Sequence, residues 1–280
     1  MKPLELAQSV AERLSNVEGV VAIVLGGSHA RGDAKPNSDI DLAMYYHPEK
    51  PLNIEQLREL ADELENTNPT LKLYENRGPT ELGGWGPFIN GGAWLEIEDQ
   101  RMDWLYSNIT EVQQAITDAV NGKSVLYHRP GHPHGFHTHM FAGQVHFAKA
   151  LYDPTNVFAK MKEQVLEYPP RLRETLLQSF SWQAEFAITV AEKSAKRGET
   201  YYVAGCLFQS AACLVQVLFA LNKRFFLNEK GSVDLIEAFD LKPKDFAVRV
   251  HTALGNIGRT AEELQERLEG FEKLAEETRD

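Results

Sequence analysis

Residues 25–42 read LGGSHARGDAKPNSDIDL. A buried strand leads into this stretch, because residues 20–25, VVAIVL, form a continuous apolar run with β-branched side chains, as expected of a strand covered on both faces. Two glycines and a serine follow at once, and Asp39 and Asp41 then open a second strand over residues 39–46. A loop that only reverses the chain needs no such pattern. The order of these pieces therefore predicts a site that holds a ligand.

The aspartates of this stretch indicate a metal site. Asp39 and Asp41 are two residues apart on a strand, so both carboxylates are expected on one face of the sheet. Two anions this close repel each other unless a cation lies between them. Carboxylate oxygens suit Mg²⁺, which completes its shell with water and substrate phosphates. A third carboxylate, Asp103, lies within the apolar segment RMDWLY, where a charge is costly unless it faces the same cations.

The segment before the aspartates has the groups that bind phosphate. Gly26 and Gly27 allow a close approach of the backbone, and backbone N–H groups together with the Ser28 hydroxyl can donate to phosphate oxygens. Arg31 can add a charge-assisted contact, and we assign Ser38, beside the aspartates, to the same set. Alone, Gly-Gly-Ser is usually a turn and Asp-x-Asp usually a pair of solvated carboxylates. Their combination is what carries the prediction.

The remainder of the first half predicts a mixed α and β pattern. The expected elements are a helix ending near residue 16, a helix over 54–64, a strand over 71–75, a Gly- and Pro-rich excursion over 78–92, and a hairpin of residues 93–98 and 101–106. We place the hairpin turn at Asp99 and Gln100. That register pairs Glu96 with Asp103, which makes Glu96 a candidate site residue.

From about residue 140 the pattern is entirely helical. The expected helices cover residues 142–152, 155–167, 170–197, 200–226, 243–256 and 259–277. We therefore predict an α+β protein with a mixed-sheet domain over residues 1–125, a connector over 126–139 and an all-α helical bundle over 140–280. The most apolar segment, residues 202–221, contains two glutamines and a serine, which favours a buried bundle helix over a membrane span.

The charge and composition of the chain argue against some functional classes. The formal net charge is −11 and the pI is about 5.4, which argues against a general nucleic-acid binder because such proteins usually present a basic face. The N-terminus does not have the pattern of a signal peptide. Cys206 and Cys213 are seven residues apart on one predicted helix, or about 10 Å, too far for a disulfide. We predict a reducing, cytoplasmic setting and no membrane partner.

These motifs resemble those of the DNA polymerase β-like nucleotidyltransferase superfamily. Its signature is an apolar residue before Gly-Gly or Gly-Ser, then Asp-h-[Asp/Glu]-h, and later h-[Asp/Glu]-h, where h is apolar. The chain matches with residues 25–28, with Ile40 and Leu42 around the aspartate pair, and with Met102 and Trp104 around Asp103. The two-part layout is similar to small bacterial nucleotidyltransferases, including aminoglycoside adenylyltransferases. The motifs cover roughly residues 19–106, and the helical half matches only in general character.

The resemblance implies an enzyme that moves a nucleoside monophosphate, most simply AMP from ATP, to a hydroxyl of a small-molecule acceptor. It implies that Asp39 and Asp41 bind two Mg²⁺ ions, that Asp103 joins the ion nearer the attacking hydroxyl, and that the glycine, serine and arginine residues named above bind the nucleotide. Asp103 and Glu96 remain alternative general bases. A non-catalytic nucleotide-binding or antitoxin-like protein of the same fold is the alternative function.

A histidine-rich segment leaves three interpretations open. Residues 128–146 contain six of the nine histidines in the chain. Imidazoles suit Zn²⁺, Ni²⁺ or Cu²⁺, although the prolines and glycines between them break regular geometry. A polar connector with incidental histidines is the second interpretation. The third places His132 and His134 on the acceptor side of a cleft between the two halves, since pockets favour domain interfaces.

Overall fold

The computed structural model describes residues 2–65, 78–129 and 131–279. The chain divides into two compact units, Met1–Thr117 with Phe141–Leu166, and Asp118–Met140 with Glu167–Asp280. This division differs from the predicted boundaries after residues 125 and 139. The reason is that residues 141–166 return to the first unit, where they supply the last strand of its sheet.

The fold class is confirmed as α+β, with a mixed sheet followed by a mostly helical region. The strands are β1 (Val20–Leu25), β2 (Ile40–Tyr46), β3 (Ile89–Ile97), β4 (Gln100–Asn108), β5 (Leu126–Arg129), β6 (His132–His137) and β7 (Lys149–Tyr152). The first unit holds a five-stranded sheet in the order β3-β4-β2-β1-β7. In this sheet β2 and β4 are parallel, and the other neighbours are antiparallel.

Helices surround the sheet and build most of the second unit. They are α1 (Pro3–Leu14), α2 (Gly27–Arg31), α3 (Ile54–Leu64), α4 (Ile109–Val120), α5 (Met140–Phe147), α6 (Val157–Glu163), α7 (Pro170–Lys196), α8 (Thr200–Leu221), α9 (Ser232–Leu235), α10 (Phe246–Gly255) and α11 (Ala261–Arg279). The prediction of a purely helical pattern from residue 140 onward was wrong at one place: the predicted helix over 142–152 ends at Phe147, because β7 follows and pairs with β1. The predicted connector over 126–139 contains β5 and β6, which form a hairpin in the second unit.

One face of the sheet forms the core of the first unit with α1 and α3. The strand alternation places neighbouring side chains on opposite faces. The residues that flank Asp41 and Asp103 are fully buried in this core, so the two aspartates lie on the other face, where they are partly exposed. The flanking residues are Ile40, Leu42, Met102 and Trp104.

The hairpin of β3 and β4 has a different register from the predicted one. Ile97 pairs with Gln100, so the turn consists of Glu98 and Asp99, whose φ angles are 50° and 61°. Two left-handed residues give a turn that matches the twist of the flanking strands. The predicted turn lay one residue later, so each predicted pairing was wrong by two residues, although every side chain remains on its predicted face. The predicted strand over 71–75 lies outside the described residues.

The second unit is built around α7, α8 and α11, which pack against one another. Helix α8 is long and apolar enough to cross a membrane by length and composition, yet 72% of its most apolar 18-residue window is buried inside the protein. That burial is typical of the core helix of a bundle. Cys206 and Cys213 are both buried on α8 and are not joined by a disulfide, as predicted.

Candidate functional site

Asp41 and Asp103 are direct neighbours across the sheet. The parallel register of β2 and β4 pairs Asp41 with Asp103 and Leu42 with Trp104. Neighbouring strands lie about 4.8 Å apart, and paired residues present their side chains on the same face. The fold therefore brings together two carboxylates that are distant in sequence, at a position where both are partly exposed.

The glycine-rich segment lies directly against the Asp41 carboxylate. The backbone N–H of Gly26 donates to the Asp41 carbonyl oxygen at 2.8 Å. A Cβ atom added to Gly27 would lie 1.8 Å from Asp41 Oδ2, and the φ of Gly27 is +57°. Both the space and the backbone conformation require glycine here. A ligand held by Asp41 consequently meets backbone, and not a side chain, at residue 27.

Asp39 lies one residue before β2 and lines a cleft of about 320 Å³. Ser38 lines the same cleft, and the tip of the β3–β4 hairpin closes its other side with Gln100 and Arg101. The volume falls at the lower end of small-molecule pockets, which run from about 300 Å³ upward. The cleft thus combines carboxylate, hydroxyl and guanidinium groups within the first unit.

A family comparison accounts for this arrangement. Residues 8–76 match the sequence profile of the family described as Polymerase beta, Nucleotidyltransferase. Residues 8–76 therefore match a polymerase β-like nucleotidyltransferase domain. The match covers the glycine-rich segment and the Asp39–Asp41 pair, the same features from which the resemblance was predicted, and it supports a nucleotidyltransferase function in general.

The remaining comparisons do not indicate a more specific function. Residues 139–230 match a domain of unknown function (DUF4037). The chain is also similar to the crystal structure of a nucleotidyltransferase-like protein from Exiguobacterium sibiricum, with 11% identity, a TM-score of 0.45, and coverage of 98% of this chain and 74% of that chain. No curated protein matches the chain at a significant level.

Three residues predicted to bind nucleotide have local partners in the nucleotidyltransferase domain. Arg31 forms an ion pair with Asp33, with Nη2 3.1 Å from Oδ2. The Ser38 hydroxyl accepts a hydrogen bond from the backbone N–H of Lys35 at 2.9 Å. The Ser28 carbonyl oxygen accepts from the backbone N–H of Asp33 at 3.2 Å. These contacts order the loop between α2 and β2, and nucleotide binding by the three residues stays a prediction.

The prediction that Glu96 is the cross-strand neighbour of Asp103 was wrong. In the β3–β4 hairpin Glu96 pairs with Arg101, and Trp94 pairs with Asp103. Trp94 was not among the predicted site residues, which were carboxylates, histidines and the groups that bind phosphate. The signal was nevertheless present, since the alternation that buries Leu95 places Trp94 on the same face as the aspartates.

The carboxylate pair fits a hard divalent cation. Over residues 2–65, 78–129 and 131–279, no three His, Cys, Asp or Glu side chains converge closely enough to enclose a metal ion. Asp41 and Asp103 nevertheless offer the oxygen donors that Mg²⁺ prefers, and Mg²⁺ usually takes its other ligands from water and substrate phosphates. The missing side chain at Gly27 makes room for the Asp41 carboxylate, since a Cβ atom there would lie 1.8 Å from Asp41 Oδ2. Polymerase β-like nucleotidyltransferases generally use divalent metals.

His132 and His134 of the histidine-rich segment lie in the second unit. His132 Nδ1 lies 3.2 Å from Glu229 Oε2, and the backbone N–H of His134 donates to Glu229 Oε1 at 3.2 Å. Both histidines belong to strand β6 and not to an irregular connector. In the part of the chain that the structure describes, they form no metal-binding cluster. Acceptor binding by His132 and His134 stays a prediction.

Two further histidines, His137 at the end of β6 and His139 just after it, are buried and neutral. Burial, followed by the neighbouring His139 and His134, lowers the pKa of His137 to about 3. Burial also lowers the pKa of His139 to about 4, against a hydrogen bond to Gln216 that raises it. His139 Nδ1 lies 2.7 Å from the Ser124 hydroxyl. These neutral imidazoles make the second unit sensitive to acid.

We expect the free energy of unfolding of the second unit to fall between pH 7 and pH 5. Over this range the unfolded state protonates its histidines while the folded state keeps His137 and His139 neutral, so acid favours unfolding by about 2 kcal/mol per histidine at pH 5. Urea unfolding followed by circular dichroism at both pH values measures the loss. His137→Phe, which removes one titrating group, should reduce the pH dependence by about 2 kcal/mol. An unchanged pH dependence in that variant would contradict the assignment.

Proposed function

We propose that the nucleotidyltransferase domain transfers AMP from ATP to a hydroxyl group of a small-molecule acceptor. The observation that supports this most is the pairing of Asp41 with Asp103 on an accessible sheet face, with the Gly27 backbone against the Asp41 carboxylate. Carboxylates alone would bind many cations. A close backbone approach next to them favours a ligand that carries both phosphate and a divalent metal, as a nucleoside triphosphate does.

In the proposed reaction the acceptor oxygen forms a bond to the α-phosphorus. The bond between the α-phosphorus and the oxygen that bridges the α- and β-phosphates breaks. Pyrophosphate leaves, and the hydroxyl proton passes to Asp103. We assign the proton to Asp103 and not to Glu96, because Glu96 does not pair with Asp103. The residue that pairs with Asp103 is Trp94, and Glu96 lies two residues further along β3. Two Mg²⁺ ions held by Asp39, Asp41 and Asp103 would lower the pKa of the hydroxyl and neutralise the departing pyrophosphate.

The residues of the glycine-rich segment orient the triphosphate in this proposal. The Gly26 and Gly27 backbone is fixed against β2 by the hydrogen bond to the Asp41 carbonyl oxygen. A backbone fixed in this way holds phosphate without rearrangement, which favours catalysis by orientation. Arg31 and Ser38, on the loop between α2 and β2, are the side chains that we assign to the same nucleotide.

A pyrophosphate-release screen tests the proposal. Purified protein is incubated with Mg²⁺, each of the four nucleoside triphosphates, and a library of small hydroxyl compounds. We expect release that depends on an acceptor, is fastest with ATP, and stops when EDTA removes the metal. If no acceptor supports release while a non-hydrolysable ATP analogue still binds, the result favours the alternative of a non-catalytic nucleotide-binding or antitoxin-like protein.

A further inference from the structure

A tryptophan lies in the same row as the carboxylate pair. Trp94 is the Cα partner of Asp103 in the antiparallel pair of β3 and β4, and Asp103 is the Cα partner of Asp41. Ala93 and Leu95 flank Trp94 and are buried in the core. The indole of Trp94 therefore lies on the same face as the two aspartates. Across β3, β4 and β2, the row therefore consists of the Trp94 indole, the Asp103 carboxylate and the Asp41 carboxylate.

A second tryptophan stacks on the first. The ring centroids of Trp85 and Trp94 lie 4.5 Å apart, with an interplanar angle of 25°. Trp85 comes from the Gly- and Pro-rich excursion, which folds back along β3. The Thr80 N–H donates to the Gly92 carbonyl oxygen at 3.0 Å, and the Gly92 N–H donates to Thr80 Oγ1 at 3.1 Å. A Cβ atom added to Gly92 would lie 2.0 Å from the Trp104 carbonyl oxygen and 2.7 Å from Trp85 Cζ3, so the glycine makes room for both the neighbouring strand and the indole.

Trp94 is exposed to solvent, and Trp85, which stacks on it, is half-buried. Trp94 is 40% exposed, whereas Trp104 on the neighbouring strand is fully buried in the core. Both tryptophans belong to the same sheet, and Trp104 shows that this sheet can bury an indole in its core. An exposed aromatic surface next to charged site residues is a common feature of small-molecule sites, where apolar groups hold the ligand and a few polar groups orient it.

We propose that Trp85 and Trp94 form the surface that binds the acceptor, and that the acceptor is an alcohol with a ring whose face stacks on an indole. This inference rests on the proposed function. In a phosphoryl transfer the attacking and leaving oxygens lie roughly in line with the phosphorus. The Gly27 backbone, which we assign to the triphosphate, adjoins Asp41. The indole adjoins Asp103, on the far side of the carboxylate pair from β1, so the attacking hydroxyl approaches from the indole side.

The spacing of the row suits a small ring. Two strand spacings separate the Cα atoms of Trp94 and Asp41, or about 10 Å, and Asp103 lies between them. A single ring stacked on the indole can therefore present a hydroxyl substituent beside Asp103. Stacking fixes the plane of the ring, and a fixed plane restricts the approach of the hydroxyl to the α-phosphorus.

Calorimetric titration tests the inference without turnover. The probes are three ring-bearing alcohols, phenyl β-D-glucoside, 2-phenylethanol and myo-inositol, with open-chain sorbitol as the control compound. The protein solution that is titrated contains Mg²⁺ and a non-hydrolysable ATP analogue. We expect at least one ring-bearing probe to bind the wild type, and Trp94→Ala to weaken that binding by about tenfold or more, as expected for loss of one stacking contact. Trp94→Phe should retain most of the affinity.

Trp182→Ala is the matched control, because Trp182 lies on α7 in the second unit and is 62% exposed. We expect it to bind the probes like the wild type. The inference is overturned if no ring-bearing probe binds the wild type, if sorbitol binds equally well, or if folded Trp94→Ala binds as the wild type does. It is also overturned if Trp94→Ala weakens ATP-analogue binding but not tripolyphosphate binding, since the indoles would then hold the nucleobase. A failure of the proposed reaction alone leaves these binding results unaffected.

Discussion

Replacing Asp41 or Asp103 with asparagine is expected to abolish acceptor-dependent pyrophosphate release while the protein remains folded. The two carboxylates are paired across β2 and β4, and a neutral amide binds Mg²⁺ poorly. Loss of the metal-dependent stabilisation should lower kcat/KM by about 10³-fold or more, because that stabilisation contributes several kcal/mol. Asp39→Asn should also lower kcat/KM. The measurement is the rate of pyrophosphate release, made with protein free of wild-type contamination.

The control for this prediction is Asp62→Asn. Asp62 is an exposed aspartate on α3, the helix that covers the opposite, apolar face of the sheet. Its substitution should leave activity unchanged. Substantial activity in Asp41→Asn, with thermal unfolding like that of the wild type, would show that the paired carboxylates do not carry the chemistry.

Gly27→Ala is expected to weaken binding of a nucleoside triphosphate by about tenfold or more, corresponding to about 1.4 kcal/mol. The new Cβ atom would lie 1.8 Å from Asp41 Oδ2, so the carboxylate has to move away from the position that Gly27 leaves open. The left-handed backbone at Gly27 adds a strain of about 1 kcal/mol for any residue with a side chain. Binding of a non-hydrolysable ATP analogue, measured by calorimetry, reports the change.

Gly32→Ala separates these two contributions. Gly32 also has a left-handed backbone, with a φ of +89°, but a Cβ atom there would meet nothing within 4 Å. Both variants should lose the stability that a side chain costs in the left-handed backbone, Gly27→Ala should lose more because of its clash with Asp41, and only Gly27→Ala should lose affinity for the analogue. Equal affinity in both folded variants would mean that residues 26–28 form only a turn and do not contact phosphate.

Local pattern was sufficient to predict the parts of the site that depend on strand alternation. The apolar run of β1 and the Asp-Ile-Asp-Leu sequence of β2 predicted which side chains face the core, and the burial of Ile40 and Leu42 confirms that interpretation. Alternation also placed Asp103 on the correct face, because its neighbours Met102 and Trp104 are apolar and fully buried.

Features that depend on distant pairing were not predicted. The β3–β4 turn uses two left-handed residues, Glu98 and Asp99, and lacks the Asn-Gly or Asp-Gly signal that would have fixed its register. Strand β7 has four residues and forms only because β1 offers an edge. The stacking of Trp85 on Trp94 arises because the segment before β3 folds back along that strand, a contact that no local periodicity indicates.

Binding of a non-hydrolysable ATP analogue with and without Mg²⁺ tests whether the paired carboxylates hold a metal–nucleotide complex, and it requires no acceptor. We expect the wild type to bind the analogue with Mg²⁺ and to lose most of that affinity in EDTA, and we expect Asp41→Asn and Asp103→Asn to lose the Mg²⁺-dependent part. Binding that is equally strong in EDTA, or that is unchanged in Asp41→Asn, would contradict the assignment of the paired carboxylates to a metal–nucleotide site.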